Sequence, residues 1–352
     1  MQRFIDMRKN SLLLALFICG FFQGFAQWTP ITLETKASFR AIRSHGKHIW
    51  IGGTRGTVIH SSDGGTNFNV STVPGADSLD FRDLAILDDK TVLLMSAGPA
   101  ENGAANIFRT ENGGKSWELA YQIKEKGYFF DAILWEGKQG LILSDPAGPF
   151  YGLIRISNKG RDFSLLNPSS HPELQKGEAA FAASGSSLQK TKQGYYVVTG
   201  GGSKARVLYG KDAQNWESIY AEIPGGEGTG FFSLGVRDTK NLWIAGGNYS
   251  RIKEGPVPVL ESLDAGKTWS PVVKAPGYYV EKILWADPYW ILSGPAESSA
   301  FDPVKKRWIS LGKSPYHNLC RVGDRLYGVG GRGQIGFISL SQIQQLFLSK
   351  EE

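Results

Sequence analysis

Cysteine is almost missing from this chain of 352 residues, with only Cys19 and Cys320 present. Cys19 falls in a leader-like segment, so the remaining chain has a lone thiol. That excludes an internal disulfide and a cysteine-based metal site. Histidine is scarce as well: His45, His48, His60, His171 and His317 show no ligand spacing, and no metal is expected. No long run of lysine and arginine stands out, and a thinly spread net charge of +6 speaks against nucleic acid as a partner. The apolar run Leu12–Phe22 falls short of the roughly 20 residues that a membrane helix needs.

That short run reads instead as the centre of an export signal. Arg3, Arg8 and Lys9 precede it, and Gly24-Phe25-Ala26 supplies small residues before Gln27. Residues 1–26 are therefore read as a signal peptide cleaved near Ala26, and the mature protein as exported to the periplasm or beyond the cell. It keeps 36 basic and 32 acidic residues, a net charge of +4, and is expected to be a monomer without a transmembrane segment.

What the sequence does have is glycine, 44 residues of it, and 10 tryptophans. They recur together in an octet, Ser-x-Asp-x-Gly-x-x-Trp. Ser262, Asp264, Gly266 and Trp269 make one copy; Ser61, Asp63, Gly65 and Phe68 make another. Thr110, Asn112, Gly114 and Trp117 make a third, and a weaker one keeps Asn158, Gly160 and Phe163. Two eroded copies end at Trp216 and Trp308. Asp or Asn closes a turn by accepting N–H groups further along the chain. Glycine takes the positive φ there, and the closing aromatic opens the next strand with a large face to bury. Closing aromatics step by 39 to 53 residues, the length of one four-stranded propeller blade.

Two further strand-like runs precede each octet, and the unit can be followed seven times. Its inner runs begin at Phe39, Phe81, Phe130, Ala180, Phe231, Tyr279 and His317. The seventh unit lacks its fourth strand, which Gln27–Ile31 at the new N-terminus supplies. An all-β, seven-bladed β-propeller over residues 27–340 is the fold expected, with four-stranded antiparallel blades and no free sheet edge. Residues 341–352 are expected to form a tail or short helix.

The octets resemble the Asp-box (BNR) repeat of sialidase-like β-propellers, in which the box is structural. A closer resemblance is to the photosystem II stability/assembly factor family. Trp28, Phe39-Arg40-Ala41-Ile42, Trp50-Ile51-Gly52-Gly53, Gly56-Thr57-Val58-Ile59 and the Asp63 box follow that family's cadence, most specifically over residues 28–117. The resemblance implies an assembly chaperone with no known reaction and no cofactor. Catalytic sialidases need an arginine triad and a Phe/Tyr-Arg-Ile-Pro motif; Phe39-Arg40 lacks the Ile-Pro, and only Arg237 and Arg251 stand near for a third arginine. Other Asp-box propellers hydrolyse glycosides with a carboxylate pair, for which Asp131 and Asp145 are the candidates here.

Two motifs mimic nucleotide sites. Gly331-Arg332-Gly333-Gln334-Ile335-Gly336 leads into a strand rather than the helix a dinucleotide site requires. Gly114-Lys115-Ser116 and Gly266-Lys267-Thr268 lack the glycine five places earlier and are box interiors.

In a propeller, function sits where inner strands and their loops crowd one end of the channel. The recurrent inner position is read as Arg40, Arg82, Asp131, Ser184, Ser233, Lys282 and Asn318. Loops add Arg55, Asp145, Arg206, Asn248 and Arg332. The candidate binding set is thus Arg40, Arg82, Arg55, Asp131, Asp145, Arg206, Asn248, Lys282 and Arg332. Paired guanidiniums suit a carboxylate. The leading expectation is a non-catalytic exported propeller that binds a protein partner and helps assemble an envelope complex. A sialidase-like glycoside hydrolase or glycan-binding protein is the alternative.

Overall fold

The computed structural model of the protein describes residues 28–253 and 259–349. The leader expected over 1–26 lies outside them. Seven four-stranded antiparallel sheets follow one another around a ring. Their inner strands are Phe39–His45, Phe81–Ile86, Phe130–Glu136, Leu188–Lys190, Thr229–Val236, Lys282–Ala286 and Tyr316–Val322. Second strands such as Val92–Ser96 are buried along their whole length, whereas the outer strand Asn69–Thr72 is exposed at every residue. Neighbouring blades cover both faces of each sheet's interior, which is why those strands read as unbroken apolar runs. The core is accordingly layered between blades. Leu93, Met95 and Ile107 of the second blade, for example, pack on Ile133, Ile142 and Ile154 of the third.

The ring closes as the sequence predicts. Thr29 and Pro30 pair with Phe337 and Gly336 as the fourth strand of the last blade, and the Trp28 ring lies 4.6 Å from that of Tyr316. A helix, Leu340–Ser349, then packs Ile343 and Phe347 inward, with Phe347 stacked on Tyr289 at 5.0 Å.

The boxes tie blades together as well as closing turns. Ser61 Oγ donates to Asp63 Oδ1 at 2.8 Å and accepts the Gly65 N–H at 2.9 Å. Asp63 Oδ1 accepts the N–H groups of Thr66 and Asn67 at 3.0 and 2.9 Å. The Asn67 bonds lead in holding this carboxyl well below the usual carboxylate range. Gly65 has φ +83°, and a Cβ there would lie 2.3 Å from Tyr327 Oη of the last blade, which donates to Gly64 O at 2.7 Å. Tyr196 of the fourth blade likewise donates to Ala265 O of the fifth at 3.0 Å.

Two expectations are corrected. At Asn158 the weaker copy has Ile156 where the others have Ser or Thr, so the anchoring hydroxyl is missing. Its turn is held by backbone, with Arg161 N–H donating to Ser157 O and Asn158 O, while Asn158 itself takes φ +47°. The fourth inner strand is Leu188–Lys190 and not Ala180–Ala183. After Ala179 pairs with Gly200, the chain leaves the sheet and crosses the channel before rejoining at Leu188. Alternating small residues disguised that excursion as a strand.

Candidate functional site

The crossing segment floors the channel. Ser184 Oγ bonds Ser186 Oγ at 2.5 Å and donates to Glu281 O at 2.6 Å; Ser186 Oγ meets Ser233 Oγ at 2.8 Å. Asn318 donates to Ser184 O and Arg40 O, and Arg43 to Gly185 O. A few residues of the fourth blade therefore hold blades five, six, seven and one. Below them Asp83, fully buried, accepts Arg43, its own neighbour's N–H at Leu84, and the Ile133 N–H of the third blade at 3.0 Å.

Above this floor lies a blind cavity of about 440 Å³. Arg40, Arg82, Glu281 and His317 form its polar side; Phe181, Phe232, Tyr249 and Tyr279 form its aromatic side. Glu281, buried, accepts Arg40 Nη1 at 3.1 Å and lies 2.5 Å from His317 Nδ1. Burial alone would raise its carboxyl, but the His317 bond and Arg40 outweigh that and hold it below the ordinary value. Arg82 Nε donates to Asp80 at 2.8 Å. Each guanidinium carries five N–H donors, so both retain donors for a ligand. Phe181 stacks on Phe232 at 3.8 Å, and Phe232 meets the edges of Tyr279 at 4.8 Å and Tyr249 at 6.4 Å.

The profile of the family described as "Photosynthesis system II assembly factor YCF48" matches residues 22–275. The chain belongs to that family. It is 25% identical over 263 residues to the photosystem II assembly lipoprotein Ycf48 of Synechococcus sp. (strain CC9902), covering 70% of this chain and 66% of that one. To the chloroplastic photosystem II stability/assembly factor HCF136 of Arabidopsis thaliana it is 23% identical, over 70% of this chain and 60% of the relative. The chain thus spans somewhat under two thirds of these relatives' length. Among solved structures, "YCF48 bound to D1 peptide" superposes with a TM-score of 0.65 at 14% identity, covering 90% of this chain and 96% of that one. YCF48 from Cyanidioschyzon merolae gives 0.63 at 16%, over 90% and 99%.

Within this family fold, the residues singled out from sequence separate into three groups. Arg40 and Arg82 come together at the mouth, each at a β-bulge that turns its side chain out of the ladder. Asp131 sits at the matching bulge but is 1% exposed, and both its carboxylate oxygens lack a hydrogen-bond partner. Burial first, and the Asp145 carboxylate second, push its carboxyl well above the ordinary value; the Asp145 N–H, bonded to Phe129 O, and Arg82 act weakly the other way. Asp145 accepts the Ala180 N–H at 3.0 Å, and burial raises it to about 6. Neither carboxylate lines the mouth cavity.

Ser233, Lys282 and Asn318 lie one residue beyond the mouth position. The bulge residues are Phe232 and His317, with Glu281 in the sixth blade. Lys282 is buried, and its ammonium is lowered to about 7 by burial and then by Arg43. Arg206 is buried against Glu178 at 2.7 Å. Asn248 donates to Thr229 Oγ1, Arg55 lines a separate groove with Glu34, Lys36 and Asp77, and the Arg332 N–H donates to Ser38 Oγ.

Sequence reasoning missed Glu281, His317, Phe232 and Tyr279 as mouth residues. A usable signal existed: the bulge residue follows an aromatic in Phe39-Arg40, Phe81-Arg82, Phe130-Asp131, Phe231-Phe232 and Tyr316-His317, and all but Asp131 line the mouth. Among the described residues, no group of three or more His, Cys, Asp or Glu could hold a metal, and no helix is long and apolar enough to cross a membrane.

Proposed function

We propose that this protein is a non-catalytic propeller that holds a segment of a protein partner at its channel mouth while an envelope complex is assembled. The observation that carries this reading is the composition of the mouth. Two guanidiniums with donors to spare face an aromatic cavity, and the carboxylate pair singled out from sequence, Asp131 and Asp145, lies outside it. Binding there needs no reaction. The solved relative named as bound to a D1 peptide supports a peptide as the kind of ligand. Export rests on the basic, apolar and small-residue succession of residues 1–26.

The test is capture from envelope extract, comparing the wild type with Arg40→Gln/Arg82→Gln. Gln keeps a hydrogen bond to Glu281 and avoids setting two carboxylates together. Specific proteins retained by the wild type and lost by the folded double variant are expected. Equal capture by both, or by neither, overturns the reading.

A further inference from the structure

The two halves of the mouth cavity are joined by one residue. Tyr279 sets its ring against Phe232 at 4.8 Å, nearly perpendicular, and lines the same cavity as Arg40 and Glu281. Polar and aromatic walls therefore meet within a side chain's length. The aromatic wall is also accessible. Tyr249 is 51% exposed at its rim, where a large ring is normally covered. The floor made by Ser184, Ser186 and Ser233 closes the channel beneath. A cavity of about 440 Å³ admits a few side chains and not a domain.

We infer that the mouth reads a two-part signature on a partner loop: an Asp or Glu side chain held by Arg40 and Arg82, and within two residues a Phe or Leu seated among Phe181, Phe232 and Tyr249. The inference rests on the reading of the mouth as the partner site and adds the apolar half to it. Donor geometry fixes the first element, since Glu281 and Asp80 each occupy only part of an arginine and leave unspent N–H donors, which a carboxylate fits. The second follows from anchor physics. Large apolar side chains in a desolvated pocket carry most of the binding energy, and charged contacts at the rim give orientation.

The experiment uses fluorescein-labelled peptides of sequence Gly-Ser-Asp-Phe-Gly-Ser, capped at the C-terminus as the amide, with the purified protein and fluorescence anisotropy as readout. Changing Asp to Asn or Phe to Ala in the peptide is expected to weaken binding about tenfold each. In the protein, Phe232→Ala should abolish the preference for Phe over Ala and leave the preference for Asp over Asn. Tyr249→Ala, at an exposed rim position, repeats the test without touching the core and should reduce the same preference. Equal binding of the Phe and Ala peptides, with Asp still preferred, overturns the two-part signature but leaves the arginine site standing. No saturable binding at millimolar peptide overturns the signature, whereas arginine-dependent capture still decides the broader reading. Markedly tighter binding by the same peptide with a free C-terminal carboxylate overturns the internal acidic side chain as the ligand.

Discussion

The box rim and the channel mouth of this propeller are built on opposite plans. The hydrogen bonds that the Ser61 and Asp63 side chains make in the first box all join residues no more than four apart. At the mouth and floor, Arg40 reaches Glu281, Asn318 reaches Arg40 O, and Arg43 reaches Gly185 O, all between different blades and more than a hundred residues apart. Local bonds demand particular residue types at fixed spacing, so they repeat visibly. Bonds between blades demand only that two side chains arrive at one place, which leaves no spacing to read. Structure is written in the rim, and the proposed binding site in the mouth.

The comparison breaks most severely at the channel floor. Gly185 has φ +64°, and an added Cβ would lie 2.1 Å from Asp83 Oδ2, a group with nowhere to move because it already holds Arg43, Leu84 and Ile133. Gly185→Ala is expected to cost about 2–4 kcal/mol, combining left-handed strain with overpacking. Urea unfolding measures it. A loss below about 1 kcal/mol would show that the crossing segment is not a shared keystone for the blades around it.

A rim substitution should cost less and stay local. Ser61→Ala removes the hydroxyl that bonds Asp63 and Gly65 while leaving Tyr327 on Gly64. The expected loss is about 1–2 kcal/mol, the worth of one to two hydrogen bonds at a buried hydroxyl, with peptide binding at the mouth unchanged. Altered binding would mean that the two regions are coupled through the first blade.

How much could be read in advance follows from the same contrast. The octets, the seven units and the closing strand at Thr29 and Pro30 were legible because turn chemistry and aromatic spacing are local. Arg40 and Arg82 were found because both follow a phenylalanine in near-identical runs. Blade four was misread because Ala180–Ala183 looks like a strand while Ser184 to Ser187 carry no strand signal, yet pairing resumes only at Leu188. Asn318 was placed one residue off because the bulge at His317 inserts a residue without marking it in the sequence, and Lys282 because its blade pairs regularly from Lys282 onward, without a bulge. Glu281 and His317 belong to a polar site whose members share no motif.

The finest test of the contrast is its sign with pH. The Asp63 carboxyl and the buried pair are shifted in opposite directions: Asp63 downward by its hydrogen-bond donors, Asp131 upward by burial and then by the Asp145 carboxylate, Asp145 upward by burial. A lowered carboxyl contributes stability above the ordinary carboxylate range and loses it as pH falls. A raised carboxyl does the reverse: Asp145 holds its proton in the native state from the ordinary value up to about 6, and Asp131 is raised as well, so stability drops as pH rises out of the ordinary carboxylate range. Asp131→Asn removes one charge from the pair. It is expected to raise the unfolding free energy by about 1 kcal/mol at pH 7.5, with the gain fading toward pH 4, where both carboxyls of the wild type hold their protons. Urea titrations of both proteins at the two pH values give the answer. An equal gain at both would assign the effect to packing, and a loss at pH 7.5 would mean that the ionised Asp131 carboxylate stabilises the junction of blades three and four.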